Sequence, residues 1–366
     1  MKKSLLFCLV ALAAVAPLFA TSYLDLVEMK VRIYATPEQV ARIAPDVLEF
    51  YNGGEGWFVG AVTQPTYEEL VREGFDIDVL VPDVRAAAMQ EDAAFHTYPQ
   101  LRDTWAIIAQ NHSSICRLDT IGHSYNGNLI LAMKISDNVS AMEGEPRICF
   151  DFSMHGNENN GCEIAHYALI QIVEGYGVDP DITRWVNERE IWLVPMDNPD
   201  GLIARTRGNG NGVDCNRNYG MAWDFGSNGG TGPFSEPETQ CYYFLGEEHP
   251  MAAWSQYHSG AEVAMWCWGY TTKAAMDSVV TAYEMTRYGQ ICNYTYGQIS
   301  RVLYSVSGGS FDWYQGTRGA LGYAVEVCQG QPSPPSDIDT INHANWTAMK
   351  EQIERVMWGI SGRVLD

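Results

Sequence analysis

From His96 onward the chain alternates near-continuous apolar runs with amphipathic stretches, and this pattern narrows its fold more than any other property. LRDTWAIIAQ (101–110) reads as a helix, LILAMKISD (129–137) and RICFDFSM (147–154) as strands, CEIAHYALIQIVEG (162–175) as a helix and IWLVPM (191–196) as a strand. Strands that are apolar on both faces and alternate with helices belong in a mixed, mainly parallel sheet flanked by helices on both faces, the α/β class. In such folds the working residues collect at the carboxyl ends of the strands. His155 lies just past one such end, and His258 closes the apolar stretch MAAWSQY (251–257) in the same way.

Ahead of this region, residues 30–83 read as two similar halves. VRIYA (31–35) is a strand, TPEQVARIA (36–44) a helix with Thr36 as N-cap and Pro37 at its first position, and VLEFYN (47–52) a strand. WFVGAVT (57–63), then TYEELVREG (66–74) with Thr66 and Glu69 as a capping box and Gly74 ending the helix, then FDIDVLVPD (75–83) repeat the scheme. The pattern is βαββαβ, a small ferredoxin-like domain. The expected organisation is a signal peptide at 1–20, the small domain at 21–85, an Ala-rich linker at 86–95 and the larger α/β domain at 96–366.

The signal peptide is read from two lysines, an apolar core and small residues in MKKSLLFCLVALAAVAPLFA. Secretion, extracellular or periplasmic, is therefore expected, and no later stretch is long and apolar enough to span a membrane. A formal charge of −22 excludes nucleic acid and anionic lipid as partners, since phosphates are held by clustered Lys and Arg. Of nine cysteines, eight follow the leader. Export permits disulfides, whereas Cys149, Cys267 and Cys328 sit in apolar runs that suit buried free thiols, so pairing stays open.

A catalytic zinc takes three protein ligands and leaves one position open, and two histidines with a glutamate form one such set. His155 and Glu158, three apart in SMHGNENNG (153–161), can face one ion at a strand-to-helix turn. A polar helix-capping loop would show the same bare pair, so the rest of the chain must discriminate.

NPDG (198–201), RTRGNGNGVDCNRNYG (205–220), FSEPET (234–239), YHSG (257–260), YSVSGGSFDW (304–313) and GYAVEV (322–327) follow in order. Together they resemble the zinc metallocarboxypeptidase family over about residues 96–358. HGNE and IGHSYNGNLILAMKISDN (121–138) are most similar to the branch of the regulatory carboxypeptidases. The resemblance implies one zinc ion held by His155, Glu158 and His258, with Asp214 orienting the first histidine through its other ring nitrogen. It implies hydrolysis of the C-terminal peptide bond by a zinc-activated water, with Glu326 as general base. A lone carboxylate in an apolar strand is costly unless paired or used, which agrees with that role. Arg207 would stabilise the oxyanion; Arg205 also fits the spacing, and Arg207 is preferred because RGNGNGVD aligns without a gap. Asn216 and Arg217 would hold the terminal carboxylate of peptide or protein substrates, for which the planar guanidinium is suited. Tyr304 would close over the bound end. The other histidines, His166 with its ExxH partner Glu163 included, read as structural or solvated.

At a position that helps set side-chain preference stands Phe311, with no acid, which disfavours terminal Lys or Arg and suits apolar or aromatic ends. Asn157 replaces the arginine of the digestive branch. Two rival readings are a cell-wall (peptidoglycan) peptidase of the same family and a catalytically silent peptide-binding protein on this fold. The small domain reads equally as an inhibitory prosegment or a permanent accessory domain. WGISGRVLD (358–366) reads as the opening strand of a further β-sandwich module or a short terminal strand. A monomer is expected.

Overall fold

A computed structural model describes residues 27–54, 56–84 and 94–357. The signal peptide, residues 86–93 of the expected linker and the tail at 358–366 lie outside the described residues.

The small domain runs β1 (Glu28–Tyr34), a helix (Pro37–Ile43), β2 (Glu49–Gly54), β3 (Trp57–Thr63), a helix (Gln64–Arg72) and β4 (Asp76–Val81). Its strands order as β2-β3-β1-β4 with every neighbour antiparallel, the topology expected from the βαββαβ pattern. Thr36 caps the first helix reciprocally: its hydroxyl accepts from Gln39 N at 3.3 Å, and Gln39 Oε1 accepts from Thr36 N at 2.8 Å. The second helix starts earlier than the sequence suggests. Thr63, not Thr66, is its N-cap and accepts from Thr66 N at 3.3 Å. Pro65 has no N–H to leave unsatisfied and fits the first turn, so the helix extends back to the end of β3. Gly74, at φ +88°, ends it in the left-handed region. Val31, Ile33, Val62 and Leu70 fill the core between sheet and helices.

Among the described residues the large domain carries an eight-stranded sheet ordered β11-β10-β12-β9-β7-β8-β6-β5. The strands are β5 (Cys116–His123), β6 (Leu129–Ile135), β7 (Arg147–Phe152), β8 (Glu190–Val194), β9 (Ala253–His258), β10 (Ala261–Trp266), β11 (Thr295–Gln298) and β12 (Leu321–Cys328). β8, β7, β9 and β12 run parallel at its centre, and β5, β6 and β10 join antiparallel. β7 shows why its residues are apolar throughout. Ile148, Phe150 and Phe152 pack under the helices Asn160–Gly175 and Ile338–Arg355, while Cys149 packs on the opposite face with Trp192 and Trp254. Each large side chain buried in this way contributes about 1.5–3 kcal/mol. With both faces covered by packing, the strand ends and the loops that follow them are where such a sheet places working residues.

All eight cysteines among the described residues are free thiols, seven of them buried. No helix among the described residues is long and apolar enough to cross a membrane.

Candidate metal centre

β7 ends at Phe152, and the chain turns through residues 153–159 before the helix that begins at Asn160. Within the turn Glu158 N donates to His155 O at 3.1 Å, one tight loop that puts the two side chains on the same side. Gly156 makes the turn possible. A Cβ there would lie 1.9 Å from the backbone carbon of Gly201, so only glycine lets the loop rest on the NPDG turn. Asn198 fastens that contact, donating from Nδ2 to Met154 O at 3.2 Å and accepting from Gly201 N at 2.8 Å.

His258 reaches the same place from the end of β9. His155 Nδ1 is 2.7 Å from Glu158 Oε1, His258 Nδ1 is 3.0 Å from Glu158 Oε2, and the two Nδ1 atoms are 3.1 Å apart. All three residues are buried, and their ligand atoms lie within 4.8 Å of one another. The far ring nitrogens are held as well. His155 Nε2 lies 3.2 Å from Asp214 Oδ1, and His258 Nε2 lies 2.8 Å from Gln256 Oε1. Carboxylate and amide oxygens can only accept, so each Nε2 would offer its hydrogen to its oxygen partner when the Nδ1 lone pair faces an ion. Two inward lone pairs and a carboxylate suit a divalent cation such as zinc, and the residues fit the ion that the sequence implies.

Burial and the Arg207 cation work against protonation of His155, yet Glu158 and Asp214 outweigh them and push it up to about 9. Burial would raise Glu158, but His155 and His258 hold it well below the usual carboxylate range. Burial likewise opposes ionisation of Asp214, which Arg207, Arg217 and His155 keep well below its ordinary value. Both carboxylates are therefore held ionised by the guanidinium and imidazole groups around them.

Arg207 lies against the ligands: Nη1 is 3.0 Å from His155 Nδ1, and Nε donates to Asp214 Oδ2 at 3.1 Å. Arg205 instead ends the helix Pro199–Ala204 with a left-handed backbone, φ 57°. Asn216 Nδ2 is 3.2 Å from His258 Nε2, and its Oδ1 accepts from Ser310 N at 3.1 Å. Arg217 Nη1 donates to Asn216 O at 3.0 Å, and its guanidinium carbon lies 5.9 Å from the Tyr304 ring centre. Gly308, at φ +68°, lies where a Cβ would come within 2.3 Å of Arg217 O, and it accepts from Tyr219 N at 3.0 Å in the loop that carries Tyr304. Glu326, on β12, is paired in register with His258.

A cavity of about 1410 Å³ opens beside this cluster. Arg207, Asp214, Arg217 and Tyr304 line it from the large domain, and Val40, Ala44, Leu48 and Phe50 from the small domain. Phe50 packs against Tyr304 with ring centres 5.6 Å apart, and Lys30 Nζ donates to Gln329 O at 3.3 Å. Phe311 is 3% exposed and packs with Val263, Met265, Cys267 and Ile299 beneath the cleft, outside the residues that line the cavity. Its neighbour Asp312 accepts from Gly269 N at 2.9 Å and Tyr270 N at 3.0 Å.

Sequence reasoning missed several supports. Gln256 sits two residues before His258 on one strand face, a period-two relation that could have revealed it. Gln331 Nε2 lies 3.2 Å from Glu158 Oε1 and left no local signal. Glu163 serves His96 rather than its ExxH partner His166: its carboxylate accepts from His96 N at 2.7 Å and lies 2.8 Å from His96 Nδ1.

Comparison with known proteins agrees with this geometry. Residues 101–348 match the family model described as zinc carboxypeptidase. The chain is 27% identical over 357 residues to a zinc carboxypeptidase of Saccharothrix mutabilis subsp. capreolus, covering 82% of this chain and 81% of that protein. It is 27% identical over 307 residues to carboxypeptidase A1 of Sus scrofa, covering 72% and 71%. Similarity to human carboxypeptidase D reaches 32% over 139 residues, 35% of this chain and 10% of that protein. Among solved structures, carboxypeptidase A from Helicoverpa armigera superposes with a TM-score of 0.78 at 19% identity, over 90% of this chain and 97% of that one. The chain belongs to the zinc carboxypeptidase family and is a metallocarboxypeptidase, a hydrolase.

Proposed function

We propose that the protein is an exported exopeptidase that releases single residues from peptide C-termini, with one zinc ion held by His155, Glu158 and His258. The observation that carries this reading is the meeting of those three side chains, with His155 in contact with Arg207 and Asp214, which line a cavity together with Arg217 and Tyr304. When bound, zinc supplies Lewis acidity for the carbonyl and acidifies water.

Glu326 takes a proton from the attacking water and returns it to the leaving amine, a task favoured by its position beside His258. Arg207 steadies the developing oxyanion, and its contact with His155 supports it over Arg205. Asp214 holds His155 with its Nδ1 lone pair inward. Asn216 and Arg217 receive the terminal carboxylate, the guanidinium meeting both oxygens at once. Tyr304 covers the bound end. Phe311 backs an apolar side-chain pocket, and because Asp312 is committed to backbone amides, no carboxylate there answers a terminal Lys or Arg. Terminal apolar or aromatic residues are the preferred substrates.

The small domain acts as an inhibitory prosegment. Its apolar side chains face the cavity, and Phe50 holds Tyr304 from the cleft side.

The test is to load the protein with zinc, measure metal content and follow free amino acids released from blocked dipeptides ending in Phe, Leu, Lys or Arg. Release that depends on zinc and prefers Phe or Leu is expected. A metal-free, chelator-indifferent protein, or one that releases nothing after cleavage within 86–95, would refute the proposal.

A further inference from the structure

The two oxygens of Glu158 face His155 and His258 on one side, and on the other side each meets a hydrogen-bond donor from elsewhere in the chain. Gln331 Nε2 donates to Oε1 at 3.2 Å, and Ser259 N donates to Oε2 at 3.1 Å. The same Gln331 Nε2 also donates to Ser259 O at 2.6 Å. Glu158, Gln331 and the backbone N–H and C=O of Ser259 therefore form a closed ring of hydrogen bonds. The remaining amide oxygen of Gln331 accepts from Asn157 Nδ2 at 3.4 Å, which gives that asparagine a partner. All of these groups are buried.

We infer that Gln331 is a positioning residue for the metal site: it sets the rotation of the Glu158 carboxylate so that both oxygens are presented to the ion between the two imidazoles. The inference rests on the zinc site proposed above. Ser259 directly follows His258, so the ring also ties the strand end that delivers the second histidine to the loop that delivers the glutamate. Gln331 itself follows Glu326 by five residues along the chain, and one short segment thereby carries both the proposed base and the brace for a ligand.

A carboxamide suits this place for a physical reason. It offers two hydrogens, one for the carboxylate and one for the Ser259 carbonyl, and brings no net charge. A lysine would neutralise part of the carboxylate and weaken it as a ligand, and an acid would repel it. Groups that orient metal ligands in this manner change metal affinity by about 10–100-fold when removed.

The experiment compares zinc dissociation constants of the full chain and its variants, by competition with a chromophoric chelator, alongside thermal unfolding of the metal-stripped proteins. Gln331→Met keeps the volume and removes both donors; zinc affinity should fall about 10–100-fold while the stripped protein unfolds near the parent temperature. Gln331→Glu should lose at least as much. Asn160→Ala is the control for loop anchoring, since Asn160 donates to Ser333 Oγ at 2.7 Å and accepts from Ser333 N at 2.9 Å in the same loop, and it should retain parental affinity. Parental zinc affinity in Gln331→Met overturns the inference. So does an equal loss in Asn160→Ala, or a loss in Gln331→Met matched by collapse of the stripped protein. A parent chain that takes up no zinc would refute the proposed function itself, whereas zinc uptake by the parent with an unaffected Gln331→Met refutes the positioning role alone.

Discussion

Glu326 and His258 are directly paired neighbours on the parallel strands β12 and β9. Their side chains leave the sheet on the same face, so register alone brings a carboxylate beside a metal-ligating imidazole. The Val325–Tyr257 pair, one residue back, points its side chains to the other face and into the core.

Glu326→Gln should reduce turnover by about 10²–10⁴-fold, the range for loss of a general acid–base group, with zinc content unchanged. Metal analysis and steady-state rates on one preparation check this. Near-parental turnover would remove Glu326 from proton transfer.

Arg217→Ala should weaken kcat/KM on peptides with a free C-terminus by ten- to a hundredfold, from the loss of about 1.5–3 kcal/mol in charge-assisted hydrogen bonding. Amidated peptides should be affected far less. Comparable losses on both would place the terminal carboxylate elsewhere.

Phe50→Ala should raise the activity of the intact chain, because it removes the ring that packs on Tyr304. Phe50 also packs on Phe58 at 4.8 Å within the small domain, so circular dichroism of that domain accompanies the assay. After cleavage in the linker, parent and variant should be equally active. An intact parent already as active as the cleaved enzyme would count against an inhibitory role.

Glu163 raises His96 above the ordinary histidine value of 6.5, its hydrogen bond outweighing burial. The neighbouring His166 ring, 4.7 Å away, is itself held lower by burial and by His96. A folded value above the unfolded one means that the pair stabilises the fold fully below pH about 6.5 and loses that contribution as pH rises through the folded value. Glu163→Gln should therefore lower the melting temperature more at pH 6 than at pH 9. Equal losses at both would show that the ion pair contributes nothing.

Much of this was legible from local pattern. The central strands are apolar throughout because helices cover both sheet faces, and continuous apolar runs announced them. The His155–Glu158 spacing is visible because one tight turn joins the two residues. The helix at Gln64–Arg72 begins earlier than its local pattern suggests, because Thr66 offers a plausible capping box while Thr63 caps it with Pro65 in the first turn.

What the sequence by itself determined is the set of parts: a βαββαβ unit, an α/β domain with a covered sheet, and two histidines and a glutamate at strand ends. Period and spacing encode these because each depends on residues a few positions apart. Only the tertiary structure decided how the parts meet. Glu158 and Gln331 are separated by 173 positions, and Glu158 and the Ser259 amide by 101. Contacts of that range follow from strand order and register in the folded sheet, as does the seating of Phe50 on Tyr304, and no local periodicity carries them.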